Sequence, residues 1–313
     1  MKWIKQGKIF EPAGEFGWMN SHAQVPTVLV LPDRFRVYFA TRPRRTLGLT
    51  TFVDLDINDP KRVLHLNEKP ILELGRDGMF DNHGLMPNHV RRGSDGKVYM
   101  YYLGWYHGTS VPYHNAVGLA VSDDDGATFR KMFEGPVLDR SAREPYSVGS
   151  LWIVEDSGLL HMFYTEVFDW LRVGDAQEPV YHIKHAVSED GIEWRKTDRV
   201  CVSPRHEREA VARPAMISKD GVHHMWFCYR GSDDFRDGRD AYRMGYARSE
   251  NLLDWERIDS LAGIDVSEDG WDSKMVTYPC TAEAGDRHLM FYNGNGFGAA
   301  GFGYAVASWE NEE

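Results

Sequence analysis

Carboxylates, guanidinium groups, imidazoles and indoles recur in this 313-residue chain at two kinds of place. One is a run ahead of a proline: Ser21-His22-Ala23-Gln24, Phe80-Asp81-Asn82-His83-Gly84, Arg143-Glu144, Glu209-Ala210-Val211-Ala212-Arg213 and Trp271-Asp272, with Tyr278 directly before Pro279. The other is the end of the aromatic segment that follows: Arg42, Trp105, Glu166, Arg230 and Asn293-Gly294-Asn295. This mixture suits a sugar, whose hydroxyls take charged hydrogen bonds while its apolar ring face stacks on an aromatic. Trp105, Trp170, Trp271 and Tyr278 are the stacking candidates.

The elements that position these residues repeat five times. Val37-Tyr38-Phe39, Met100-Tyr101-Tyr102, Met162-Phe163-Tyr164, Met225-Trp226-Phe227 and Met290-Phe291-Tyr292 follow one another at spacings of 63, 62, 63 and 65 residues. Each is preceded by a segment marked by Pro26, Pro87, Pro145, Pro214 or Pro279. Proline lacks an amide donor, so each is read as the first residue of a strand. Polar turns such as Ser94-Asp95-Gly96-Lys97 join the two strands as hairpins. A third strand follows, as in Ala116–Val121 and Arg243–Arg248, and then an acidic turn with an aromatic that opens a fourth. Four antiparallel strands per repeat make a propeller blade, so the fold class is an all-β, five-bladed β-propeller, read as one domain over residues 1–313. Residues 3–10 supply the strand that the last repeat lacks and close the ring.

Antiparallel pairing puts the start of strand one and the end of strand two on one face. The long connections 43–49, 106–115, 166–181 and 231–242 open on that face, where binding concentrates. Substrate-binding candidates there are His22, Gln24, Arg42, His83, Trp105, Glu209, Arg213, Arg230, Tyr278 and Asn293.

A net charge of −11 argues against a nucleic-acid partner, which needs clustered cations. The N-terminus has no apolar signal core and no window holds 18 uninterrupted apolar residues, so membrane insertion is not expected and the cytoplasm is the expected location. Cys201, Cys228 and Cys280 lack metal-ligand spacing and read as buried thiols, and the paired histidines lie on strands, so no metal site is expected. Ser122-Asp123-Asp124-Asp125-Gly126-Ala127-Thr128-Phe129 matches the sialidase Asp-box but falls on the opposite face and reads as a structural turn.

The repeat resembles the five-bladed propeller superfamily of glycoside hydrolase families 32, 43, 62, 68 and 130. More narrowly, Ser21-His22-Ala23-Gln24-Val25-Pro26, Gly270-Trp271-Asp272 and Tyr292-Asn293-Gly294-Asn295-Gly296 look like glycosidase-like proteins of bacterial surface-polysaccharide synthesis. The resemblance implies a carboxylate before the prolines of the early blades. Val25 and Met86 stand there instead, Ser21 replaces the aspartate of the invertase-type Trp-Met-Asn-Asp run, and Glu144 before Pro145 keeps the acid. Glu144 is therefore the expected general acid, its pKa raised, with Asp81 or Asp272 as the second carboxylate that glycosidases need. The phosphorylases of family 130 imply another solution, with no cofactor but inorganic phosphate as co-substrate, clamped by the arginines. The expected partner is a saccharide, sugar phosphate or nucleotide sugar. A carbohydrate-binding or scaffold propeller without catalysis is the alternative.

Overall fold

In the computed structural model, which describes residues 1–44, 46–236 and 238–309, the chain forms five four-stranded antiparallel sheets. The first blade is β2 (Gln24–Val30), β3 (Arg34–Thr41), β4 (Leu49–Asp56) and β5 (Val63–Leu66). The second is β6 (Gly84–Arg92), β7 (Val98–His107), β8 (Tyr113–Ser122) and β9 (Arg130–Lys131). The third is β10 (Ser147–Asp156), β11 (Leu159–Val173), β12 (Ala176–Ser188) and β13 (Arg195–Val202), and the fourth β14 (Ala210–Lys219), β15 (Val222–Arg230), β16 (Arg243–Ser249) and β17 (Glu256–Arg257). The fifth joins β18 (Thr277–Ala284), β19 (Arg287–Asn293) and β20 (Phe302–Ser308) to the N-terminal β1 (Lys2–Phe10). Trp3 pairs with Ala307 across β1 and β20, and its ring meets Trp226 of the fourth blade edge-on at 5.1 Å. The free edge of the last sheet is thereby covered, as the sequence led us to expect.

The repeated aromatic strand is the second strand of every blade, and its residues fill the layers between blades. Leu29, Tyr38 and Phe52 of the first blade pack with Leu85, Val90, Met100 and Tyr102 of the second. Each fully buried side chain of this kind is worth about 1.5–3 kcal/mol relative to exposure. Tyr38 donates from its hydroxyl to the Gly126 carbonyl at 2.7 Å, and Tyr101 to that of Gly191 at 2.9 Å, so each ties its blade to the outer turn of the next. A Cβ on Gly126 would lie 2.1 Å from the Tyr38 hydroxyl, which explains the glycine. The Asp-box thus closes a turn, with Ser122 Oγ accepting from the Gly126 amide at 2.9 Å.

The prolines mean something other than strand starts. Pro26, Pro87, Pro214 and Pro279 lie inside the innermost strands, at or beside a break in register against strand two. Pro145 precedes β10 altogether, and the break in that strand falls between Val148 and Leu151. A bulge needs an unpaired residue, which proline tolerates, and it turns neighbouring side chains off the sheet. Val25, Arg213 and Tyr278, each before such a proline, have positive φ values of 60°, 57° and 53°. Such backbone costs roughly 1–3 kcal/mol per residue. All three side chains reach the cavity at the propeller axis.

Candidate active site

A cavity of about 500 Å³ opens around the axis. Its inner wall comes from the bulged first strands of all five blades, through Gln24 and Val25, Met86 to Asn88, Gly149 and Ser150, Ala212 and Arg213, and Tyr278. Its outer wall comes from Arg42 and Trp105 at strand-two ends and from the connections β7–β8, β11–β12 and β15–β16. The second of these is a β-hairpin, with β11 and β12 paired out to Val173 and Ala176 and one register break between Val167 and Asp169, where a long connection was expected. The hairpin carries Glu178 and Tyr181 into the wall, and the β15–β16 connection adds Phe235, Arg236 and Tyr242.

Of the sequence-derived candidates, Gln24, Arg42, Trp105, Arg213, Arg230 and Tyr278 line this cavity together. Arg213 is fully buried on its floor. One terminal nitrogen donates to the carbonyl and side-chain oxygens of Asn88, at 2.6 and 2.7 Å, and the other to Thr27 Oγ1 at 2.9 Å and the Pro26 carbonyl at 3.2 Å. Its amide donates to Ser150 Oγ at 3.0 Å, so one residue of the fourth blade touches the first three. Arg230, 2% exposed, donates to the carbonyls of Gly231 and Pro179 and stacks over Phe235 at 3.8 Å. Arg42 donates to Gln24 Oε1 at 3.1 Å. Trp105 lies on the backbone of Gly84, where an added Cβ would come within 1.8 Å of its ring nitrogen.

His22, His83, Glu209 and Asn293 are not among the lining residues. His22 bonds Ser21 Oγ at 2.9 Å, and burial, with Arg42 adding to it, lowers its pKa to about 4. His83 bonds Asn82 and meets the edge of His107 at 4.5 Å. Asn293 is fully buried and braces β2, accepting from the Val25 amide at 2.7 Å and donating to the carbonyls of Ala23 and Gly301. Trp170 and Trp271 pack instead on Tyr113 and Tyr292.

The three carboxylates expected to be catalytic occupy one repeated place, and none lines the cavity. Asp81 accepts from the Tyr102 hydroxyl at 3.1 Å and from Lys131 of β9 at 2.6 Å. Glu144 accepts from Tyr164 at 2.7 Å, from Lys196 of β13 and from Lys184 at 2.6 Å. Asp272 accepts from Tyr292 at 2.9 Å and from Lys5 of β1 at 2.7 Å. Glu209 repeats the pattern with Arg257 of β17 at 2.7 and 3.0 Å, where Phe227 replaces the tyrosine. In each of these four blades the carboxylate clamps the approach to strand one onto a cation of the outermost strand. The expected rise in the Glu144 pKa is also reversed: burial pushes it up, but hydrogen bonds from Lys184, Lys196 and Tyr164 outweigh burial and hold the carboxyl below the usual glutamate range. The register explains the misplacement, because the counterpart of Val25, Arg213 and Tyr278 in the third blade is the Gly149–Ser150 bulge and not the residue before Pro145.

Among the described lining residues Glu178 is the one carboxylate; it is 4% exposed and accepts from Arg236 at 2.7 Å. Sequence reasoning passed over it, although the connection that carries it was already assigned to this face. Asn88, Asn115, Tyr113, Tyr181 and Tyr242 were likewise missed and add polar groups to the wall. Among the described residues no cluster of three or more His, Cys, Asp or Glu side chains could hold a metal ion.

No family model matches the chain. It is 36% identical over 309 residues to the uncharacterized protein Rv1502 of Mycobacterium tuberculosis (strain ATCC 25618 / H37Rv), covering 98% of this chain and 99% of that one. Over 135 residues it is 29% identical to a 1,2-beta-oligomannan phosphorylase of Thermoanaerobacter sp. (strain X514), covering 41% of this chain and 43% of the other. Among solved structures, a thermostable family-43 glycoside hydrolase superposes with a TM-score of 0.66 at 16% identity, over 93% of this chain and 91% of that one. A structure from family 130, a family of mannoside phosphorylases containing glycoside hydrolases that target β-1,2-mannosidic linkages in Candida mannan, gives 0.70 at 14% identity, over 98% and 94%. These likenesses establish the fold of glycoside hydrolases and phosphorylases; nucleotide sugars find no support in them.

Proposed function

This chain belongs to the family of the mycobacterial protein Rv1502, and from its glycosidase- and phosphorylase-like fold and the lining of its axial cavity we propose that it is an enzyme of bacterial polysaccharide metabolism that cleaves a glycosidic bond there. The observation that carries the reading is Glu178, a nearly buried carboxylate on the wall of a cavity whose other lining residues include arginines, amides, hydroxyls and aromatic rings beside aliphatic side chains. Once Arg236 leaves its carboxylate and Glu178 is protonated, Glu178 passes that proton to the leaving oxygen as the bond from the anomeric carbon breaks. Gln24, Asn88 and Asn115 hold sugar hydroxyls, and Trp105 and Tyr278 offer apolar faces to the ring.

Hydrolysis by the usual route requires two carboxylates, one to protonate the leaving group and one to attack or activate water. With one acid in the described lining, the reading in which inorganic phosphate attacks the anomeric carbon is favoured, giving a sugar 1-phosphate and a shortened saccharide. The partial likeness to a phosphorylase supports the same choice. The test is product analysis on a panel of oligosaccharides, β-1,2-mannosides included, with and without inorganic phosphate. Sugar 1-phosphate formed only with phosphate supports phosphorolysis, and free sugar in both arms supports hydrolysis. Saturable saccharide binding with no product in either arm would replace the enzyme by a carbohydrate-binding propeller. A cytoplasmic site of action belongs to the same proposal and is tested by cell fractionation.

A further inference from the structure

The charge of the cavity is opposite to that of the chain. Among the described lining residues four arginines, Arg42, Arg213, Arg230 and Arg236, stand against one carboxylate, Glu178, in a protein whose net charge is −11. Two of the four are buried with no counter-ion among the described residues. All the oxygens to which Arg213 donates are neutral, belonging to Asn88, Pro26 and Thr27. Those of Arg230 are neutral as well, belonging to Gly231, Ser232, Pro179 and Tyr181. The Nε of each has no partner, and among the described residues neither guanidinium has a carboxylate within 4.0 Å. Elsewhere this chain neutralises its buried cations: Arg36 sits on Asp54 at 2.8 Å, Arg257 on Glu209 at 2.7 Å and Lys184 on Glu144 at 2.6 Å. Keeping a charge out of water with no opposite charge is unfavourable, and an anion brought into the cavity offsets that cost in a medium that screens weakly.

We infer that the saccharide taken by this cavity is acidic, carrying carboxylate or phosphate-ester groups of its own. The positive charge is spread over the floor (Arg213), the rim of the first blade (Arg42) and the wall beneath the β11–β12 hairpin (Arg230, Arg236), whereas one phosphate ion would balance it at one point only. Arg213 and Arg230 are inaccessible and act through their field, while Arg42 is partly exposed and Arg236 exposed, and both can donate directly.

The inference rests on the glycosidic reading above, and the experiment separates the two. Calorimetric titration of the full chain compares uronate oligosaccharides and sugar phosphates with neutral oligosaccharides of equal length, and with inorganic phosphate alone, at low and high salt. The expected result is at least about tenfold tighter binding of the acidic member of each pair, an advantage that shrinks as salt shortens the reach of the field. Arg42→Gln and Arg236→Gln should each weaken the acidic ligand more than its neutral partner, with melting temperature recorded to show that the variants fold. Equal affinity for acidic and neutral saccharides, or saturable binding of phosphate with no preference among saccharides, overturns the inference while leaving glycosidic cleavage standing. Preferred binding of acidic saccharides with no cleavage of any saccharide upholds it and removes the enzymatic reading instead.

Discussion

Glu144→Gln separates a clamp from a catalyst. Glu144 is 1% exposed, and its carboxylate faces Lys184 and Lys196, whose side chains are 9% and 15% exposed, and the hydroxyl of Tyr164. Glutamine keeps the shape and can still accept from Tyr164, but it leaves two poorly solvated ammonium groups without their common anion. Removing one side of a buried pair costs about 3–5 kcal/mol, and the retained hydrogen bond puts this variant near the lower figure. For a chain of this size each kcal/mol moves the midpoint by roughly 2 °C, so a loss of about 6 °C is expected. Because the folded carboxyl is held below its unfolded range, its contribution is fully present above the unfolded pKa and is lost as the pH falls through the folded value. The gap between wild type and variant should therefore narrow in acid. Urea and thermal unfolding followed by tryptophan fluorescence, beside turnover of a cleaved saccharide at a temperature where both proteins are folded, is the assay. A variant that melts like the wild type yet has lost turnover by about 10²-fold or more, the scale on which a proton-transferring group shows, would refute the clamp.

Other expectations follow from the same structure. Gly84→Ala puts a Cβ within 1.8 Å of the Trp105 ring, so the indole must leave its place; the expected result is changed tryptophan fluorescence, weakened saccharide binding by calorimetry, and roughly 1–3 kcal/mol of lost stability in urea. His89 and His185 are buried and neutral. Burial first, then Arg213 and Arg91 for His89 and His161 for His185, lowers their pKa values to about 3 and about 4. The unfolded chain binds these protons near pH 6.5 and the folded chain does not, so stability should fall as pH drops from about 6.5 toward 4. Urea midpoints across that range test the slope, and His89→Phe, which can keep the edge contact with Trp152, should flatten it. Tyr164→Phe removes one hydrogen bond to Glu144 and should cost about 1 kcal/mol by the same assay, with no change in saccharide affinity.

The blades were legible because burial on both faces forces an apolar residue followed by two aromatics into Val37-Tyr38-Phe39 and its four counterparts, a signal that local sequence carries. The closing strand was legible for the same reason, since Trp3 has to reach the layer that holds Trp226. The prolines were misread because a proline at a strand start and one at a bulge obey the same donor rule. Only the pairing register, together with the positive φ of Val25, Arg213 and Tyr278, tells them apart. Glu144 next to Pro145 therefore carried a false equivalence, while Asp81, Glu209 and Asp272, lying a few residues before a bulge, share its true one. The place of Arg42, Arg213, Arg230, Gln24, Trp105 and Tyr278 in the cavity lining was legible because strand direction alone puts them on the axial face. Glu178 has no such mark: it lies third in β12, paired with Leu171 in a hairpin whose length follows from tertiary packing.

The most direct test of Glu178 as the proton-transferring group is the turnover of Glu178→Gln beside Glu144→Gln on one cleaved saccharide, with both unfolding curves measured. A fall of about 10²–10⁴ in turnover for Glu178→Gln at a nearly unchanged melting temperature, against retained turnover and a lowered melting temperature for Glu144→Gln, is the predicted pattern. Full turnover in Glu178→Gln would contradict the account.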